Sequence, residues 1–331
     1  MDTAKNQRIL TLVWAPSETR TANYARQLNS PLYFIHYLLY KRPWIAPFKY
    51  LLQAAKTFQV LFKNRPRVVY VTNPPVFAPL CVLVYCKLTG AQFVMDTHPP
   101  SLYADRWRWS VPLQRFVSRF AMMNVTDQER FKALFESWGA KALVLENPPK
   151  TPQFNAVKNE EHADRFKVAV VNTFAVDEPL DIILEAAKKL PDAHFYITGD
   201  KGLAKPGVIE NAPDNVSFTG YLRGDDYWNL LNNARAVMVL TTYPYSLLGG
   251  AQDSVSLHVP IILSDQPVLR EYFTSGTVFV ENTTEGIVQG VRHMIENEEQ
   301  LKREVTELRQ IHRDKWEHNF QQLLTLIEAV K

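Results

Sequence analysis

Short apolar runs and longer stretches of helical period alternate along the chain. Arg8 to Trp14 (RILTLVW) predicts a buried strand, and Ser17 and Thr19 are suitable N-caps for a helix through Asn29. Over residues 46–62 the spacing places Leu51, Ala55, Phe58 and Phe62 on one helical face, expected to be the core face. Val68 to Val71 is a strand, broken by Asn73-Pro74-Pro75. Val76 to Leu88 is a buried helix stopped near Gly90, and Gln92 to Met95 is a strand ending at Asp96-Thr97-His98-Pro99-Pro100. Helix, strand, helix and strand follow over 112–122, 123–125, 127–138 and 142–145, ended by Asn147-Pro148-Pro149.

Residues 150–165 are polar and aperiodic, as a linker is. The alternation then restarts. Strands are expected at Phe166–Asn172, His194–Thr198, Val216–Thr219, Ala236–Leu240, Pro260–Leu263 and Gly276–Val280. Helices are expected at Leu180–Leu190, Asp225–Asn233 and Ala251–His258. Strands alternating with helices of this length imply parallel sheets covered on both faces. The expected fold is therefore α/β, with two Rossmann-like doubly wound domains facing a cleft. The boundaries are 1–150, a linker at 151–165, 166–310, and a charged terminal helix from 311 to 331. The stripe Trp316, Phe320, Leu323 and Leu324 either packs that helix back on the first domain or lies on the surface.

Composition narrows the chemistry. Glycine is scarce, 12 in 331 residues, and neither G-x-G-x-x-G nor G-x-x-x-x-G-K-[ST] occurs, which disfavours a dinucleotide-binding dehydrogenase or a P-loop kinase. The two cysteines, Cys81 and Cys86, lie in one apolar segment without a second ligand pair, so they read as core thiols and not as a zinc site. Met1 to Arg8 is polar, unlike a signal peptide, and the longest apolar stretch, Val76 to Cys86, is well short of the roughly 18–20 residues that cross a bilayer. The net charge of +3 hides an asymmetry. Residues 1–95 hold twelve Lys/Arg against Asp2 and Glu18, a net +10, which leaves −7 for the remainder. Such a first half suits an anionic partner.

In the second half VAVVNTFAVDEPLDIILEAAKKLPDAHFYITGD, then NVSFTGYLRGDDYWNLLNNARAVMVLTT, then GGAQDSVSLHVPIILSD resemble the donor domain of GT-B glycosyltransferases. The likeness is to family 4 and, at Thr173 to Asp177-Glu178, to the dolichol-linked β-mannosyltransferase type. VVYVTNPPVFAPL followed by FVMDTH resembles the first domain of that same type. The resemblance covers most of the chain as an order of degenerate motifs. It implies a metal-independent hexosyltransferase with no cofactor beyond a nucleotide-sugar substrate. Asp253 falls where the second acid of the family's E-x7-E motif sits. The first would fall at Tyr245, and the family's basic pair near Thr173 and Glu178. These positions carry neither the acid nor the bases, although the mannosyltransferase type also has Asp-Glu there.

Read as chemistry, Asp253 is expected to open a helix and to accept hydrogen bonds from vicinal sugar hydroxyls, or to be an ordinary N-terminal carboxylate. The helix start at Gly249, Gly250 and Ser254 suits a diphosphate, with Lys201 or Arg223 adding charge or simply lying in solvent. Asn172 and Thr173, at a strand's carboxyl end, suit phosphate oxygens or an ordinary turn. Tyr221 and Leu222 stand where the family's backbone reads the nucleobase. In the first half, Asp96 and His98 at a strand end offer a general base with a carboxylate beside it, or a cap and a packed histidine. Ser17 and Arg20 open the first helix, where the resemblance implies acceptor contacts, although the family's Gly-rich loop is absent.

Residues 31–67 mix Tyr33, Phe34, Tyr37, Tyr40, Trp44, Phe48, Tyr50, Phe58 and Phe62 with seven basic residues. That composition suits an anionic membrane surface, with a core-and-solvent reading as the alternative. No nucleic-acid motif is present. The expected protein is a glycosyltransferase moving a sugar from a nucleotide-sugar to a lipid-linked or polysaccharide acceptor, cytoplasmic and peripheral on the inner face of the membrane. The alternatives are a catalytically silent GT-B partner subunit and a sugar-nucleotide epimerase.

Overall fold

The computed structural model describes residues 9–37, 46–147 and 150–330, and the chain divides into two compact units, Met1–Pro148 with Asp314–Lys331, and Pro149–Arg313. In the first unit, strands β1 (Ile9–Val13), β2 (Leu32–Phe34), β3 (Val68–Asn73), β4 (Gln92–Thr97), β5 (Met123–Thr126) and β6 (Ala142–Val144) pair in parallel in the order β2-β1-β3-β4-β5-β6. The order reverses between β1 and β3. Helices α1 (Thr19–Gln27), α2 (Ala46–Asn64), α3 (Phe77–Thr89), α4 (Pro100–Tyr103), α5 (Asp105–Arg108), α6 (Val111–Ser118) and α7 (Glu129–Ser137) connect them. One sheet face packs Leu10, Leu12, Val69, Val71, Phe93 and Met95 against α2, α3, α6 and α7. The other packs Val68, Tyr70, Val94 and Val125 against Tyr24 and Leu28 of α1 and against Trp316, Phe320, Leu323 and Ile327 of the terminal helix.

The second unit carries β7 (Phe166–Val170), β8 (Ala193–Thr198), β9 (Val216–Gly220), β10 (Ala236–Val239), β11 (Ile261–Ser264) and β12 (Thr277–Val280), all parallel, in the order β12-β11-β10-β7-β8-β9. Helices α8 (Leu180–Ala187), α9 (Gly224–Asn233), α10 (Gly249–Ser256), α11 (Pro267–Tyr272) and α12 (Thr284–Glu296) link them, and α13 (Glu298–Glu328) follows. Numbered within the unit, this is the 3-2-1-4-5-6 order of nucleotide-binding sheets, whose switch point lies between β7 and β10. Apolar clusters fill both faces, one centred on Val168, Val170, Phe195 and Ile197, the other on Ala169, Val237, Ile261 and Leu263. Among the described residues no helix is long and apolar enough to cross a membrane.

Several local expectations change. The cap of α1 is Glu18, whose carboxylate accepts from Arg20 N at 3.0 Å and from Thr21 N, instead of Ser17 or Thr19. The carboxylate also meets the positive end of the helix dipole. Leu51, Ala55 and Phe62 of α2 face outward, whereas Gln53 and Thr57 face in. The polar stretch 151–165 is fastened down in part. Asp225, Asn229 and Asn233, at successive turns of α9, accept from the backbone N–H of Asn155, Val157 and Asn159 at 3.2, 2.8 and 2.8 Å. Asn229 and Asn233 donate back to the carbonyls of Asn155 and Val157. Side-chain amides thus supply the ladder that a neighbouring strand would. The two cysteines are free, and burial pushes the thiols of Cys81 and Cys86 up to about 11 and about 12.

Candidate active site

In the second unit, the chain leaving β7 passes through 171–178 at the switch point. Asn172 is buried. Its N–H donates to Thr198 Oγ1 at 3.0 Å, and its Oδ1 accepts from Phe174 N at 2.8 Å, which makes the Asx-type turn that was the ordinary alternative for this residue. Phe174 then takes a left-handed φ of 59°, with its ring against Gly199 at the end of β8. This turn gathers donors around one carboxylate. Thr173 N, Thr173 Oγ1 and Ala175 N donate to Glu178 at 2.8, 3.0 and 2.9 Å. Backbone N–H groups that converge in this way form an anion-binding concavity, and here Glu178 fills it.

A second network ties the neighbouring strand ends together. Thr241 Oγ1 donates to Asp177 at 2.7 Å, Thr241 N donates to Ser264 Oγ at 2.9 Å, and Ser264 Oγ donates to Asn282 Oδ1 at 2.8 Å. Asn282 Nδ2 returns to Thr241 O at 3.0 Å. Sequence reading names Asp177 only within the resemblance at Thr173 to Glu178 and does not single out Thr241, Ser264 or Asn282. The common signal of these three is a small polar residue at or just past the carboxyl end of an apolar strand.

Helix α10 begins at Gly249, so Asp253 lies in its second turn and does not open it. Gly250 packs on β7's extension. A Cβ there would lie 2.7 Å from Val171 Cγ1. Asp253 is buried, accepts from Tyr227 Oη at 3.0 Å, and forms an ion pair with Lys150. Burial, with the Asp253 carboxylate beside it, raises the pKa of Tyr227. Lys150 and Tyr227 are partners that sequence reading does not find, since neither spacing nor motif links them to position 253. Ser254, expected beside a ligand, is fully buried and spends its hydroxyl on Val259 O at 2.8 Å. Lys201, Tyr221 and Arg223 are exposed at the ends of β8 and β9. The Lys201 stem runs past Gly220, and the Arg223 guanidinium lies 4.9 Å over the Tyr221 ring. Leu222 lines a cavity of about 610 Å³ shared with residues 157–161 and α9, away from the 172–178 turn.

In the first unit, the strand ends hold a charged cluster. β4 runs two residues further than expected, so Asp96 sits inside the sheet with a fully buried side chain. Arg20 grips it through Nε and Nη2 at 3.2 Å and also donates Nη2 to Leu145 O at 2.6 Å. Arg20, expected as an acceptor contact, is thus paired with the Asp96 carboxylate. Ser17 remains exposed on the preceding loop. His98 follows the strand with Nε2 3.9 Å from Asp96 Oδ2, beyond hydrogen-bond reach, and that nitrogen has no protein partner. Asp127, just past β5, completes the cluster, and burial raises its pKa against the pull of Arg20 and His98. In the sequence it reads only as the start of a helix. Behind the cluster a buried network fixes the 99–114 segment, with Asn73 Nδ2 donating to Gln114 Oε1 and Gln114 Nε2 donating to Ser101 O and Ser110 Oγ, all at 2.8 Å. Among the described residues no three His, Cys, Asp or Glu are grouped to hold a metal.

This architecture is the two-domain GT-B fold. Residues 153–310 match the family model of glycosyl transferases group 1, which spans nearly the whole second unit. The chain is structurally similar to Anabaena Alr3699/HepE in complex with UDP (12% identity, TM-score 0.70, 98% of this chain and 100% of that one). It is also similar to sucrose-phosphate synthase from Thermosynechococcus elongatus (12%, TM-score 0.71, 98% and 100%). A protein assigned as a UDP-N-acetylglucosamine 2-epimerase from Listeria monocytogenes shares the fold too (11%, TM-score 0.62, 91% and 91%). No curated protein matches the sequence. The domain match and these likenesses together support a GT-B glycosyltransferase.

Proposed function

We propose that the protein transfers a sugar from a nucleotide-sugar, held by the second unit, to a lipid-linked or polysaccharide acceptor served by the first. The observation that carries this reading is the switch point of the second sheet. There the N–H groups of Thr173 and Ala175 converge on a carboxylate, inside the span that matches glycosyl transferases group 1. HepE, of the same fold, is found with UDP. In this reading the donor diphosphate lies near the 172–175 turn and the start of α10, with Lys150, Lys201 or Arg223 adding charge. Asp253, held by Tyr227 and Lys150, keeps lone pairs for sugar hydroxyls. The backbone at Tyr221 and Leu222 borders the nucleobase.

The bond from the anomeric carbon to the diphosphate breaks through an oxocarbenium-like transition state while the acceptor oxygen forms the new one. The acceptor proton passes to His98, whose buried Nε2 has no hydrogen-bond partner of its own, with Asp96 beside it as a fixed charge and not as the base. The likeness of VVYVTNPPVFAPL and of Thr173 to Glu178 to the dolichol-linked mannosyltransferase type favours a hexose donor and a lipid-linked acceptor at the cytoplasmic face of a membrane. Two other readings remain on specific observations. Glu178 in the anion concavity suits a catalytically silent partner subunit, and the epimerase of the same fold suits a sugar-nucleotide epimerase.

Calorimetric titration with UDP, GDP, dTDP and their sugar conjugates tests the proposal. One nucleotide-sugar is expected to bind, weakened by about 1–3 kcal/mol in Asp253→Ala, the scale of a hydrogen bond to a charged group. Absence of binding by any of them, with the fold intact, favours the silent subunit. Conversion of a sugar-nucleotide without an acceptor favours the epimerase.

A further inference from the structure

Helix α2 packs Tyr50, Ala54, Phe58, Val60 and Leu61 on the core but turns a second apolar stripe outward. Its inward stripe carries Lys49, Gln53 and Thr57 beside Val60 and Leu61, all buried. Gln53 Nε2 donates to Ile35 O at 2.8 Å, and Trp14 Nε1 donates to Thr57 Oγ1 at 2.9 Å, so these polar groups are satisfied in the core. The outward stripe, at helical spacing, is Phe48, Leu51, Leu52, Ala55 and Phe62, with Phe48 66% and Leu51 69% exposed. A helix facing only water carries the opposite arrangement.

The apolar surface does not stop at α2. Phe62 meets Tyr85 of α3 edge-on at 5.3 Å, and α3 itself exposes Val84 and Leu88, the latter by 70%. Lys87 of α3 lies 4.4 Å over the Phe120 ring, which contacts the exposed Phe116 of α6 at 5.1 Å. Three neighbouring helices thus present one apolar face, which is far from the scattered single residues that any soluble surface shows. Its charges are of one sign. Lys56, Lys63, Lys87 and Arg115 are exposed along it, and no acid occurs between residues 19 and 95. At its margin Arg65 and Arg67 line a cavity of about 510 Å³ together with Phe62 and Tyr85.

We propose that this face of the first unit docks on an anionic lipid bilayer. The outward stripes of α2 and α3 enter the boundary between headgroups and acyl chains, and Arg65 and Arg67 take a lipid phosphate. The charge pattern selects this occupant. A second copy related by a two-fold axis would bring the two basic rims together. A bilayer rich in anionic lipid meets the apolar stripe and the basic rim at once. The surface lies partly within 31–67, whereas α3 and α6 fall outside the stretch whose composition suggests a membrane. Of the aromatic residues expected there, Tyr33, Tyr37, Tyr50 and Phe58 pack against the core, and Tyr40 and Trp44 lie outside the described residues.

Co-sedimentation of the full chain with phosphatidylcholine vesicles, with and without phosphatidylglycerol, tests this without any nucleotide. Binding is expected only with the anionic lipid and falls as salt rises. The pair Arg65→Ala and Arg67→Ala should weaken it about fivefold per residue. The pair Leu51→Ser and Leu88→Ser, both at exposed positions, should weaken it tenfold or more while leaving circular dichroism and nucleotide titrations unchanged. Four results overturn the proposal: no vesicle binding by the parent chain, equal binding to neutral vesicles, unaltered binding by the serine pair, or a dimer in solution that the serine pair splits. A failed nucleotide titration leaves this test untouched, so the two readings fail separately.

Discussion

Replacing Arg20 by methionine should destabilise the first unit severely. Asp96 has a side chain with no exposure, and Arg20 is its counter-charge, itself only 10% exposed. Removing one partner of a buried pair leaves the other charge uncompensated, which costs about 3–5 kcal/mol. The same change deletes the 2.6 Å hydrogen bond to Leu145 O that ties α1 to the end of β6. Asp96→Asn keeps the shape and removes the charge, so it should cost less, about 1.5–3 kcal/mol for the weakened charged hydrogen bonds. Because a neutral amide at position 96 needs no counter-ion, the double variant Arg20→Met with Asp96→Asn should fall short of the summed single costs by about 1–3 kcal/mol. Urea unfolding followed by tryptophan fluorescence suits the measurement, since six of the seven tryptophans belong to the first unit and only Trp228 to the second. A cost below about 1 kcal/mol for Arg20→Met, or strictly additive costs in the double variant, would refute the assignment of these residues as a structural pair. The functional corollary is that Arg20→Met loses turnover through loss of fold, whereas His98→Gln loses turnover with the fold intact.

Other outcomes follow from the same geometry. Gly250→Ala places a Cβ 2.7 Å from Val171 Cγ1, so it should cost about 1–3 kcal/mol and weaken nucleotide binding, while Gly249→Ala, which meets nothing within 4 Å, should change neither. Equal effects of the two would detach the α10 start from the site. Glu178→Gln clears a charge from the Thr173–Ala175 concavity and should tighten nucleoside diphosphate binding about five- to tenfold, the scale of one displaced charge-assisted hydrogen bond. Unchanged or weaker binding in calorimetry would place the diphosphate elsewhere. His194 stacks on His162 at 3.7 Å, and burial, with His162 and Arg165 nearby, lowers it to about 4. The folded state keeps it neutral while the unfolded chain protonates below about 6.5, so its contribution is full above that pH and is lost as pH falls from about 6.5 to about 4. Melting of His194→Gln should be flatter across that window than melting of the parent chain.

The parallel sheets were readable because each strand is a short apolar run bounded by turn residues, and both faces are covered, so no alternation blurs the pattern. The order of motifs carried the fold as well. Two kinds of feature escaped. Helix α2 shows a clear apolar period, but period alone does not say which stripe faces inward, and Gln53 and Thr57 are inside only because Ile35 O and Trp14 Nε1 wait for them. Partnerships across long separations also escaped, such as Lys150 and Tyr227 on Asp253, or Arg20 on Asp96. Nothing local to position 253 or 96 announces its partner, since the fold alone brings them together. Gly249 and Gly250, read as a helix start, form the first turn of α10, with Gly250 packed on Val171.

Hydrogen exchange of the full chain, with and without the nucleotide-sugar that binds, tests the donor site most directly. The expected result is slowed exchange in peptides covering 172–178, 199–203 and 249–254, with no change in α2. No protection in the second unit, or protection confined to residues 9–147, would contradict a donor site at the β7–β10 switch point.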